Sequence, residues 1–115
     1  MKIMKPLKYP KLGIDTYAGW LAYLMPENVM FVKHFKAYPE RVYGEIAGFP
    51  LCIFYNKKFI ELEPIGPLET IKPGKSVSYT ENWWLLPYKF PRKRKSISPE
   101  VVADIVQNKT EFINN

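Results

Sequence analysis

Proline placement constrains this chain more than any other feature. Eleven prolines are spread along 115 residues, against only six glycines. Each pyrrolidine ring fixes φ and removes a backbone donor, which interrupts helix interiors and central strands alike. The pattern predicts many short elements divided by fixed turns, with one place where a long helix can run, after Pro99. The side chains agree. Eight tyrosines, seven phenylalanines and three tryptophans bring the aromatic share to 16%, and such large, stiff groups pack well across a half-buried pleated surface. The length suits a single domain with a modest core.

Read along the chain, residues 1–14 are basic, carry two prolines and are expected as an extended N-terminal segment. Tyr17 to Met25 runs apolar or small almost without a break, which predicts a strand buried on both faces. Pro26-Glu-Asn28 is a turn. Val29 to Phe35 follows as a strand with Val29, Phe31, Lys33 and Phe35 on one face and Met30, Val32 and His34 on the other, so the two segments make a hairpin. Residues 36–50 are a long connection. Leu51 to Tyr55 is a strand, Asn56-Lys57-Lys58 turns the chain, and Phe59 to Ile65 alternates with Phe59, Glu61, Glu63 and Ile65 on one face. A short strand over Leu68–Ile71 is expected next, then a Pro-Gly turn at Lys72–Lys75, where glycine supplies a positive φ. The longest strand is expected over Ser76–Leu86. Ser98-Pro99-Glu100 starts a helix, serine capping free amides and proline taking the first helical position. Val101, Val102, Ile105 and Phe112 make its apolar stripe. The expected fold is therefore mostly β, an antiparallel β-sandwich over 15–87, then a basic linker over 88–97 and one C-terminal α-helix over 98–112.

Several function classes fall away. One histidine and one cysteine do not make a zinc site, no acidic loop has calcium spacing, and there is neither a glycine-rich phosphate loop nor a nucleophile elbow. Neither a metal nor a cofactor is expected. The single thiol, Cys52, lies in the apolar run Phe49–Tyr55 and reads as a small core residue. It favours a reducing compartment. No apolar run approaches the length of a membrane span and no secretory leader is visible, so no membrane partner is expected and residence is expected to be cytoplasmic. The net charge of +6 raises nucleic-acid binding, yet the densest basic run, Arg92-Lys-Arg-Lys95, sits in the linker without interleaved aromatics. A solvated linker is the stronger reading.

What remains is the pair Glu61 and Glu63. Two apart in a strand, both carboxylates project from one side, close enough to raise each other's proton affinity, with Phe59 and Ile65 flanking them. Carboxylates framed by aromatic and apolar surface can accept sugar hydroxyls, and such a setting can tune a glutamate for general-base work. The alternative is a pair of solvated residues on an outer face. Lys33, between Phe31 and Phe35, either snorkels to water or reaches a ligand. Trp20, Tyr23, Trp83 and Trp84 are candidates for a stacking platform, against the commoner role of aromatics as core. His34, the lone imidazole, is a candidate ligand contact, against the commoner role of a packed strand histidine.

The segments Phe59-Ile-Glu-Leu-Glu-Pro-Ile-Gly-Pro67, Ile71-Lys-Pro-Gly-Lys75 and Tyr79-Thr-Glu-Asn-Trp83 resemble, in that order, the C-terminal end of galactose-mutarotase-like domains. Gly19-Trp-Leu-Ala-Tyr23 and Met30-Phe-Val-Lys-His-Phe35 are similar to an uncharacterised bacterial and archaeal branch of that superfamily. The match spans roughly residues 13–87. It implies the C-terminal half of a supersandwich, a cofactor-independent sugar site, and Glu63 as the residue that takes the anomeric proton. The family's catalytic histidines belong to an upstream half, and His34 matches none of their motifs. The resemblance therefore implies sugar binding with incomplete epimerase machinery, and a homodimer that restores the missing half. Two other readings stay open: a protein-interaction scaffold without a small-molecule site, and nucleic-acid binding through Arg92 to Lys95.

Overall fold

The computed structural model describes residues 8–93 and 96–111. They form six strands and one α-helix, β1 (Lys11–Ile14), β2 (Trp20–Met25), β3 (Val29–Phe35), β4 (Leu51–Tyr55), β5 (Ile60–Pro64), β6 (Glu81–Pro87) and α1 (Pro99–Lys109), with a 3₁₀ turn at Ile46–Gly48. The strands make two three-stranded antiparallel sheets, ordered β1-β4-β5 and β2-β3-β6. This is the mostly β class with a C-terminal helix that the sequence predicts. The described residues fall into two compact units. One takes its residues from Met1–Ala18 and Ala37–Tyr79, the other from Gly19–Lys36 and Thr80–Asn115.

In the second unit the period-2 pattern of β3 decides everything. Met30 and Val32 are fully buried on one side and meet Val102 and Val106 of α1. Trp20, Ala22 and Leu24 of β2 and Trp84 and Leu86 of β6 pack around that centre. The helix is capped as its sequence predicts, with Val101 N–H donating to Ser98 Oγ and Pro99 in the first turn. Its far end is tied to the sheet by a polar contact inside the core. Thr110 Oγ1 donates to Val106 O at 2.6 Å and lies 2.8 Å from His34 Nε2. A hydroxyl has one proton. With that proton on Val106 O, His34 Nε2–H must be the donor to Thr110. The hairpin turn places Asn28 at a positive φ of 63°. Its side chain then accepts from Phe90 N–H at 2.9 Å, and its carbonyl accepts from Tyr88 N–H at 3.0 Å, fixing the chain beyond β6.

The first unit is built on β4, whose Leu51, Cys52, Ile53 and Tyr55 are all buried. The β4–β5 hairpin closes as Asn56 Oδ1 accepts from Lys58 and Phe59 N–H at 2.7 and 3.1 Å. Burial pushes the Cys52 thiol up, with the nearby carboxylates adding to the shift and Lys11 opposing it. It is a packed thiol and not an activated one.

Four local expectations need correcting. The structure has no strand over Leu68–Ile71, and the strand expected from Ser76 begins only at Glu81. The reason is a missing partner: β3 ends at Phe35, which pairs with Glu81, so the alternating residues before Glu81 have no ladder to join. The Tyr17–Met25 strand starts at Trp20 and is half-buried throughout, because β2 is an edge strand. Finally, the extended N-terminal segment contains a real strand, β1, paired with β4. Phe112, Arg94 and Lys95 lie outside the described residues. The Pro73-Gly74 turn forms as expected, with Gly74 at φ 74° and Lys75 N–H donating to Lys72 O at 3.0 Å.

Candidate functional site

The residues singled out in the sequence settle in three places. Glu61 and Glu63 stand on one side of β5, opposite Phe54 and Cys52 of β4. Glu61 is exposed, and the half-exposed Phe59 lies against Phe54 with ring centroids 5.9 Å apart. Glu63 is drawn inward. Its Oε2 is buried and lies 3.1 Å from Lys11 Nζ, which also sits 3.2 Å from Glu45 Oε2. The hydrogen bond to Glu63, then that to Glu45, holds the Lys11 ammonium above its usual range. The two glutamates thus differ in kind: one faces water and the other is half of an ion pair.

Trp20 and His34 are cross-strand partners on the helix-covered side of the second sheet. His34 is 1% exposed, its ring packed edge-on against Trp84 at 4.8 Å. Burial lowers its proton affinity and so favours the neutral ring, whose Nε2–H tautomer can donate to Thr110. Trp20 is half-buried against the core.

Lys33 and Trp83 meet on the opposite side of the same sheet, directly across from each other on β3 and β6. Between them stands Glu81, two residues before Trp83 and on the same side. Glu81 Oε2 lies 2.9 Å from Lys33 Nζ and accepts from Trp83 Nε1–H at 2.8 Å. Lys33 Nζ sits 4.7 Å from the centre of the indole, and Phe31 meets that ring edge-on at 5.6 Å. Lys33 is buried, yet Trp83 stays 63% exposed and its neighbour Leu85 70%. Cation–π attraction, a T-shaped aromatic pair and a charge-assisted hydrogen bond therefore fix one orientation of the indole. Its polar edge is satisfied from below, and most of its surface is left to solvent. Sequence reasoning named Lys33 and Trp83 and missed Glu81. The signal was present, since an acid two residues from a tryptophan shares its side of a strand.

Chemically, this is a rigid aromatic platform with an ammonium and a carboxylate at its margin, able to stack a ring and to offer both a donor and an acceptor beside it. Among the described residues, no group of three or more histidine, cysteine or acidic side chains is placed to hold a metal ion, and no helix is long and apolar enough to cross a membrane. No family model, curated protein or solved structure matches this chain.

Proposed function

We propose that this chain is a carbohydrate-binding domain of galactose-mutarotase-like descent, without complete epimerase machinery, and that Trp83 is its stacking platform. The exposed, pre-oriented indole carries the reading. A pyranose presents an apolar C–H face that stacks on an aromatic ring, and its hydroxyls both donate and accept. Lys33 and Glu81 lie at the margin to meet them. A platform that is already immobile loses little entropy when it is covered. Binding without turnover suits the other candidates, because Glu63 is engaged with Lys11 and the imidazole of His34 is enclosed beneath α1.

A saturation-transfer NMR screen against common hexoses, pentoses and their phosphates tests this. The intact chain should give signal for a subset of sugars, and Trp83→Ala should weaken binding by about two- to tenfold, the order expected for one lost aromatic contact of about 0.5–1.5 kcal/mol. Absence of signal for every sugar, with the chain folded, would sink the proposal. A second reading, a protein-interaction domain, is favoured by Leu85, whose exposure beside Trp83 extends the apolar surface beyond what a single sugar ring needs. The resemblance also suggests a homodimer. Size-exclusion chromatography at micromolar concentration should then show twice the chain mass, and a clean monomer would discard it.

A further inference from the structure

The connection between β5 and β6, Ile65 to Thr80, is sixteen residues long and has no regular secondary structure. Loops of that length inside a small domain are uncommon and are usually functional or disordered. This one is fastened. Leu68 N–H donates to Val42 O at 2.7 Å, and Arg41 Nη2 donates to Glu69 Oε1 at 2.7 Å. On the facing loop, Tyr38 N–H donates to the buried Tyr43 hydroxyl at 2.7 Å, which holds the start of that loop in place. The backbone at Gly66 runs against the Tyr79 ring so closely that a β-carbon would lie 3.2 Å from it. Between these pieces lies a half-open groove of about 320 Å³, lined by residues that include Tyr38, Arg41, Gly66, Glu69, Ser78 and Tyr79. The volume is at the lower end of the range of small-ligand sites.

We propose that this groove binds a small zwitterion, an α-amino acid with an apolar or aromatic side chain. The side chains of Arg41 and Glu69 are 42% and 34% exposed, so both reach solvent while touching each other. Arg41 has further guanidinium donors beyond the one given to Glu69, and a carboxylate has a second oxygen. A net anion that approaches Arg41 also meets Glu69, and a net cation that approaches Glu69 also meets Arg41. Either loses much of what it gains. A ligand with a carboxylate and an ammonium on one carbon can lay each charge against its opposite, completing a square of alternating signs. The tyrosine rings and Val77 then offer apolar surface to its side chain. This site is independent of Trp83 in residues and in ligand chemistry.

Amide chemical-shift titration of the full chain tests it with three probes of one shape: L-phenylalanine, N-acetyl-L-phenylalanine with the carboxylate alone, and L-phenylalaninamide with the ammonium alone. L-Phenylalanine should shift the amides of Gly66, Glu69, Ser78 and Tyr79, and bind about tenfold or more tightly than either singly charged probe, the scale of one lost charge-assisted hydrogen bond. Arg41→Gln should abolish that preference, as should Glu69→Gln, while Trp83→Ala leaves it intact. The proposal is overturned if none of the three probes shifts these amides, if the shifts fall elsewhere, or if the singly charged probes bind as well as the zwitterion. The Trp83 variant separates this outcome from that of the sugar screen.

Discussion

Met30→Ala is expected to destabilise the β2–β3–β6 unit by about 2–5 kcal/mol, the range for truncating a large buried side chain to alanine. Met30 is 0% exposed and sits at the centre of the contact between β3 and α1, with Val102 and Val106 across from it. The lost transfer energy is compounded by the cavity left behind, because a helix clamped by Ser98 at one end and Thr110 at the other cannot settle fully into the space. Whole domains are stable by only about 5–15 kcal/mol, so the change is large. Urea denaturation followed by tryptophan fluorescence checks it, since Trp84 packs against the same cluster. A loss below about 1 kcal/mol would mean that the helix contributes little to holding this sheet together.

Stability should also fall as the pH drops below neutrality, and His34 should be the cause. Burial holds its folded-state proton affinity below the ordinary value near 6.5. The unfolded chain therefore binds the proton more readily than the folded one. Stability is at its full value above the unfolded pKa and declines as the pH falls from there towards the folded pKa. The slope approaches about 1.4 kcal/mol per pH unit for one proton. Protonation leaves the Nε2–H donor to Thr110 in place, so the cost is that of charging a buried ring. Denaturation midpoints at pH 7 and pH 5.5 give the comparison, above the range where most carboxylates titrate. His34→Gln keeps a donor for Thr110 and should flatten the dependence. An unchanged slope in that variant would assign the effect to another group.

The elements that could be read from sequence were those whose signal is local. The alternation of Val29–Phe35 identifies both sides of β3, and Ser98-Pro99 locates the helix start, because each pattern is complete within a few residues. β1 was hidden, since Lys11-Leu-Gly-Ile14 becomes a strand only by pairing with Leu51–Phe54, about forty residues away. Ser76–Thr80 misled in the opposite way, having alternation but no strand to meet. The candidate site divides along the same line. Lys33 and Trp83 could be named because they are conspicuous on their own strands. The partnership of Glu63 with Lys11, and that of Arg41 with Glu69, join distant segments and leave no mark in either.

The Lys33–Glu81 pair has a bearing on how β6 finds its place. The strand reads Trp83-Trp84-Leu85-Leu86, a doublet of each apolar residue. Sliding it by one position along β3 would exchange its two sides, yet the helix would still meet one tryptophan and one leucine. Hydrophobicity hardly distinguishes the two alignments. What distinguishes them is charge. The slipped strand would turn Glu81 to the helix-covered side near His34 and take the counter-ion away from Lys33, a penalty of several kcal/mol for unmatched buried charge. The ion pair thus acts as an index mark on an otherwise ambiguous ruler, selecting one alignment where greasy side chains alone would tolerate two.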